Sequence, residues 1–428
     1  MSSNITPFGG VIPILKTVKD FRIPQTIDKI LGSRLKQSKY KKSDIIISWL
    51  MTNFCGGQRL DHITQHRKNL LIINKMKIKI PSHDTLGRVF KKLATKTITK
   101  WSGSKYKKGS IGYYNYNMLL NKLLIEITRR TKILDENKYH TIDMDATFIP
   151  SNCYEANYSQ YEKGFHPMVC SIGILPIFIS MRSGNVSPQT ESTYCLKKAI
   201  QFAKESKYKI GKVRTDSGSY SKEVFHYLDE QNIKFYIGGK NSKAIIKKLV
   251  ECNHWKEITI KTSAENFNCE ETSICHKLKD DKREYRIVAI RRLKNNNDKT
   301  KKWIDGGKYE YRLVITNDYE MPSKELIEFY NKRGTFEQGF HNLKKHHGWK
   351  YMPFSKLNEN HVFVLISAMA NNIYQGYLKI LSDKLPQYKK VLTMRLNKFI
   401  KSFINTVCTY KNGKFIFSDL DLDFQKIV

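Results

Sequence analysis

The chain has 428 residues, 75 of them Lys or Arg against 39 Asp or Glu, for a formal net charge of +36. With 40% hydrophobic and 12% aromatic residues, it excludes a disordered basic tail and reads as a folded protein with at least one full core. A cationic excess of this size, spread along the length, makes a polyanion the expected partner, nucleic acid above all.

Met1 to Pro13 lacks the basic start and apolar core of a signal peptide. No apolar run reaches the ~18 residues that span a bilayer. The most apolar candidate, Val362 to Ile373, is short and contains Asn371 and Asn372. The expectation is a protein of the cytoplasm, associated with the nucleoid and not with a membrane. None of the cysteines sits in a CxxC pair. The set Cys252, His254, Cys269, Cys275 and His276 matches no common zinc spacing, so reduced thiols are expected.

In chain order, residues 1–110 read as a helical, basic region suited to binding DNA. Ser43 to Phe54 is an amphipathic helix that Gly56-Gly57 ends. After Pro81, Ser82 caps a short helix carrying Arg88, Lys91 and Lys92. That helix is either the recognition helix of a helix-turn-helix unit or an ordinary capped surface helix. Lys105 to Gly109 reads as a polar linker. Residues 139–240 alternate strands and helices. In Thr141 to Thr147, Ile142, Met144 and Ala146 share one face and Asp143, Asp145 and Thr147 the other. Strands are expected at 168–174, 177–182, 212–215 and 234–237, with helices at 191–204 and 221–231. This predicts an α/β fold: a mixed sheet flanked by helices. Residues 241–310 break the rhythm as a β-rich insertion, with strands at 284–293 and 301–304 and a turn at Asp305-Gly306-Gly307. Tyr311 to Thr316 returns to an apolar strand. A single long helix then runs from Ser323 to Gly348. Residues 311–380 complete the core begun at 139, and 381–428 form a C-terminal helical region and tail.

That long helix carries Tyr330, Arg333, Glu337 and Lys344. At about 100° per residue, their spacing brings all four within roughly 60° of arc. A tyrosine, two cations and a carboxylate so aligned suit a metal-and-phosphate surface better than a packing one. Asp145 at the end of one strand, Asp216 at the end of another and Glu337 on the helix form a set able to hold two Mg²⁺ ions about 4 Å apart. Asp143 shares the strand face of Asp145, so either could reach metal. Arg333 and Lys344 are placed to hold phosphates, and Tyr330 a phosphate or base.

Tyr330-x2-Arg333-x3-Glu337-x6-Lys344 resembles the Y-R-E-K signature of bacterial DDE-type insertion-sequence transposases. Asp145-Ala146-Thr147 resembles the first-carboxylate motif of that family, and Arg214-Thr215-Asp216-Ser217-Gly218 the second. Gly164-Phe165-His166-Pro167, Arg182-Ser183-Gly184-Asn185 and Tyr311 to Asn317 match further stretches, so the likeness covers roughly 139–380. It implies a ribonuclease-H-like catalytic fold interrupted by a β-strand insertion. It also implies cut-and-paste transposition on double-stranded DNA by a homodimer acting at terminal inverted repeats, with two Mg²⁺ ions or Mn²⁺ in their place. By the same likeness Asp145, favoured over Asp143 by its Ala-Thr follow-on, Asp216 and Glu337 are the catalytic carboxylates. Trp255 or Trp303 of the insertion is the candidate for stacking on a flipped base. The alternatives are another ribonuclease-H-like metal-dependent nuclease, or a non-catalytic DNA-binding derivative of a transposase.

Overall fold

The computed structural model describes residues 4–33, 37–104, 107–159, 162–187, 189–261, 266–293, 309–384 and 392–418. The expected strand at 301–304, the turn at 305–307 and Trp303 lie outside these residues.

The first third is a helical layer: β1 (Ile5–Thr6), α1 (Val11–Asp20), α2 (Ile23–Leu31), α3 (Lys42–Phe54), α4 (Leu70–Lys75) and α5 (His83–Leu93). Ser82 caps α5 as its position foretells, accepting from the Thr85 amide at 3.3 Å. α3 is buried nearly all round instead of along one stripe. A hairpin follows, β2 (Ile98–Ser104) and β3 (Lys107–Asn115), leading into α6 (Met118–Arg130); residues 107–109 of the expected linker open β3, and 105–106 lie outside the described residues. Next come β4 (Tyr139–Ala146), the short strands β5 (Ile149–Pro150), β6 (Asn157–Tyr158) and β7 (Lys163–Phe165), then β8 (Met168–Ile172), β9 (Leu175–Arg182), α7 (Ser192–Glu205), β10 (Lys209–Thr215), α8 (Lys222–Glu230), β11 (Lys234–Gly238) and α9 (Lys243–Val250). The β-rich insertion provides β12 (Lys256–Lys261), β13 (Asn266–Lys277) and β14 (Glu284–Leu293) ahead of β15 (Tyr309–Thr316). The chain then forms α10 (Ser323–Asn331), α11 (Gly334–His346), α12 (Leu357–Lys384), α13 (Leu396–Phe399), β16 (Cys408–Lys411) and β17 (Lys414–Phe417).

One sheet of eleven strands organises the molecule, in the order β12-β13-β14-β15-β11-β10-β4-β8-β9-β3-β2. At its centre β4, β10 and β11 run parallel, while β8 and β9 return antiparallel. The insertion is therefore continuous with the large sheet: β14 pairs with β15, and β15 with β11. α7, α8 and α9 bury Leu196, Val224 and Ile245 in one core with Ile142, Met144 and Val213 of the central strands. The larger core joins α1–α5, α6 and α12. The apolar run Val362 to Ile373 is the interior of α12 and is buried throughout. Its two asparagines are satisfied there. Asn372 donates to Pro176 O at 2.8 Å, and Asn371 to Ile174 O at 3.2 Å, anchoring the helix to the sheet. Among the described residues no helix is long and apolar enough to cross a membrane. The C-terminal region read as helical also holds the hairpin β16–β17, and β16 pairs with β1, closing the ends of the described chain on one another.

The long helix expected from Ser323 to Gly348 is two helices. α10 ends at Asn331 and α11 begins at Gly334. At the join the Arg333 amide bonds to Tyr330 O at 2.9 Å, a tight three-residue turn in place of the α-helical ladder. The dihedrals of Lys332 and Arg333 stay right-handed, which is why the 3.6 periodicity survives the break in sequence. Gly348, with φ of +80°, ends the second helix as foreseen.

Candidate active site

The parallel register of β4 and β10 sets Arg214 opposite Asp143 and Thr215 opposite Met144. Asp145 and Asp216 therefore emerge together at the carboxyl ends of adjacent strands, the usual location of ligand sites in such sheets. Asp216 turns its carboxylate back onto the following backbone, accepting from the Gly218 amide at 3.0 Å. Asp145 accepts from its neighbouring Ala146 amide at 2.7 Å through Oδ1. Its Oδ2 accepts from Nη1 of Arg333 at 2.8 Å. Burial raises the pKa of Asp145 above the usual carboxylate range, and the charge of Asp216 raises it further, while Arg333 opposes both.

Arg333 stands in the turn between α10 and α11. Its second terminal nitrogen lies 4.0 Å from Glu337 Oε1, so one guanidinium sits between Asp145 and Glu337. The two carboxylates differ in setting. The Asp145 side chain is 20% exposed and that of Glu337 69%. Glu337 also borders a cavity of about 570 Å³ with Gln338, His341 and Arg395. Among the described residues no three acidic, His or Cys side chains converge as a metal-holding group. The structure brings Asp145 and Asp216 together and leaves Glu337 on the far side of Arg333.

Tyr330, at the end of α10, donates to Thr215 O at 3.2 Å. Burial raises its pKa, and Arg333 pulls the other way. Space for its hydroxyl depends on Gly238, where a Cβ would come within 2.8 Å of Tyr330 Oη. Lys344, two turns beyond Glu337, is half-buried, and burial with the charge of Lys350 lowers its pKa. It has no hydrogen bond or ion pair among the described residues. Close by, His166 is held neutral, its pKa lowered to about 4 by burial, with Arg182 and Lys344 contributing. The stretches 164–167 and 182–185 form the floor there. The His166 amide donates to Arg182 O at 2.8 Å and the Gly184 amide to Gly164 O at 2.9 Å.

Asp143, the other candidate ligand on β4, is set back from the strand end. It is fully buried, and Arg214 takes both of its oxygens, Nε to Oδ1 at 2.7 Å and Nη2 to Oδ2 at 2.8 Å. Of the two aspartates on this strand face, Asp143 is thus engaged by Arg214 through both oxygens, while Asp145 keeps a partly exposed carboxylate. Arg88, Lys91 and Lys92 are exposed on α5, whose other side buries Leu86, Val89 and Phe90. Trp255 is partly buried, its ring 4.1 Å from the Arg291 guanidinium carbon, a packed position and not a free stacking platform. Arg214 was legible only as part of a motif. Its bond to Asp143 requires the strand register.

The chain matches the family described as transposase DDE domain group 1 over residues 2–401. It is a DDE transposase. Among curated proteins none matches it. Among solved structures, the transposase is similar to a piggyBac transposase, seen in a synaptic complex with hairpin DNA. The identity is 10% and the TM-score 0.40, covering 94% of this chain and 87% of that one. Enzymes of this family work with divalent metal ions. The transposase offers hard oxygen donors from Asp145 and Asp216 at the ends of adjacent strands, and oxygen donors suit such an ion.

Proposed function

We propose that this transposase cleaves and rejoins DNA at the terminal inverted repeats of its own element, by cut-and-paste transfer in a homodimer, with Asp145, Asp216 and Glu337 as its catalytic carboxylates. One observation carries the reading: the Arg333 guanidinium lies between two of these carboxylates, 2.8 Å from Asp145 and 4.0 Å from Glu337. Asp145 and Asp216 would hold divalent ions, two Mg²⁺ or Mn²⁺ in their place, with Glu337 completing the set once the guanidinium moves to a DNA phosphate. When bound, such ions supply Lewis-acid activation and neutralise charge on the reacting phosphate.

The residues of the chain do the rest. Arg333 and Lys344 would supply the cations that hold DNA phosphates and orient the scissile bond. Tyr330, fixed by Thr215 O, closes the other side. Water attacks the phosphodiester at the element's end, releasing a 3′-hydroxyl. That hydroxyl then attacks a second phosphodiester, so one bond forms as one breaks. The exposed cations of α5 bind duplex DNA outside the cleavage site.

The test is Glu337→Gln, assayed on a supercoiled plasmid carrying the DNA that flanks the gene. Loss of Mg²⁺-dependent cleavage with DNA binding retained is expected. Cleavage at the wild-type rate removes Glu337 from the mechanism. Strand-transfer products separate this reading from a plain nuclease, which makes none.

A further inference from the structure

We infer that Asp143 and Arg214 form a positioning pair that sets the spacing of the catalytic carboxylates, an inference resting on the function proposed above. Each partner lies two residues upstream of an acidic site residue: Asp143 precedes Asp145 on β4, and Arg214 precedes Asp216 at the end of β10. The two face each other across the parallel register. Their contact is a bidentate pair at 2.7 and 2.8 Å, with side chains only 1% and 8% exposed.

The pair also reaches a third element. The remaining terminal nitrogen, Nη1 of Arg214, donates to Phe329 O at 2.6 Å. The Phe329 ring lies 4.7 Å from the guanidinium carbon. Phe329 immediately precedes Tyr330, whose hydroxyl bonds to Thr215 O, the residue between Arg214 and Asp216. One guanidinium thus ties together the strand of Asp145, the strand of Asp216 and the end of the helix that delivers Tyr330 and Arg333. The bonds fall two residues from Asp145 and Asp216, one from Tyr330 and four from Arg333.

A buried charge pair is an uneconomical way to stabilise a core, since apolar side chains of similar volume do as well or better. What it adds is direction. A planar guanidinium with three fixed donors admits one arrangement of carboxylate and carbonyl, whereas apolar contacts slide. Lysine keeps the charge but cannot make the two carboxylate bonds and the carbonyl bond together.

The experiment uses the full-length chain with Arg214→Lys and Asp143→Asn, each checked for folding by thermal unfolding, and Glu337→Gln as the control. Two quantities are read: Mn²⁺ affinity by electron paramagnetic resonance, and plasmid cleavage across a Mn²⁺ titration. The folded variants are expected to need about tenfold more Mn²⁺ for binding and for half-maximal cleavage, the cost typical of losing a partner behind the metal ligands. Part of the rate should return at high Mn²⁺. A pair that served the fold alone would lower the unfolding temperature and leave the Mn²⁺ midpoint unmoved; that result overturns the inference. Should a single variant not fold, Asp143→Asn combined with Arg214→Gln, which strands no charge in the core, carries the same measurement. If the wild type binds Mn²⁺ but does not cleave, the functional proposal fails and the pair is judged on affinity alone. If it does not bind Mn²⁺, both fail.

Discussion

Arg333 donates to Asp145 at 2.8 Å across 188 residues of sequence, and its charge opposes the burial and the Asp216 charge that together raise the pKa of Asp145. The guanidinium therefore does, in the metal-free protein, what a divalent ion would do. Arg333→Gln should leave Asp145 and Asp216 facing each other uncompensated. The expected cost without metal is about 2 kcal/mol, below that for breaking a fully buried pair because the side chains keep some solvent. Mn²⁺ should then raise the unfolding temperature of the variant more than that of the wild type, because the ion replaces a lost partner. Calorimetry with and without Mn²⁺ measures this, and equal shifts in the two proteins would contradict it.

Asp145→Asn should separate stability from activity. The raised pKa of Asp145 means that the fold disfavours its charged form. That penalty is present in full above the folded pKa and is relieved as pH falls through it. In EDTA at pH 7 the Asn variant is expected to be more stable by about 1 kcal/mol, with the advantage fading as the pH is lowered through the folded pKa of Asp145. Plasmid cleavage should be abolished. Denaturant unfolding at a series of pH values tests the sign, and an Asn variant less stable at pH 7 would refute it.

Much of this architecture was legible in the chain. The alternation of Thr141 to Thr147 located β4, Ser82 and Ser221 marked the starts of α5 and α8, and Gly348 marked the end of α11. What the alternation could not give was which polar residue on its aspartate face would be covered. Asp143 is paired with Arg214 on the neighbouring strand, which in turn bonds to Phe329 O on α10, and no local pattern encodes the meeting of residues 71 and 115 positions apart. The break at Lys332–Arg333 escaped for the opposite reason. Its dihedrals stay helical, so the side-chain period is undisturbed while the hydrogen-bond ladder is interrupted. The four residues of the stripe are therefore divided, with Tyr330 on α10, Arg333 in the turn, and Glu337 and Lys344 on α11.

On α5, Lys91 and Lys92 are exposed near the helix end while Leu86, Val89 and Phe90 anchor it. Converting both lysines to alanine should leave the core untouched. If they meet phosphates, DNA affinity falls by a similar factor for every sequence, and the slope of log affinity against log salt becomes shallower by about 1 per lysine. Fluorescence anisotropy on specific and scrambled duplexes across a salt series tests this. An unchanged slope would assign α5 to the fold and not to the DNA interface.

Lys344 supplies the last expectation, because its charge is half-buried with no counter-ion among the described residues, and burial and Lys350 lower its pKa. A lysine with a lowered folded pKa destabilises the fold while it is charged. The deficit is present in full below the folded pKa and disappears as pH rises from there towards the ordinary value of 10.5. Lys344→Met keeps the length of the side chain and removes the charge. At pH 7 it should stabilise the DNA-free protein by about 1 kcal/mol, and the gain should shrink as the solution is made alkaline. A cation kept at such a cost is explained if a DNA phosphate is its partner. The same variant should then cleave about 100-fold more slowly, the loss typical of removing one preorganised electrostatic contact to a reacting group. Unfolding midpoints between pH 7 and 10 and single-turnover cleavage rates are the paired measurements. A variant that is both less stable and fully active would show that Lys344 serves packing and not phosphate.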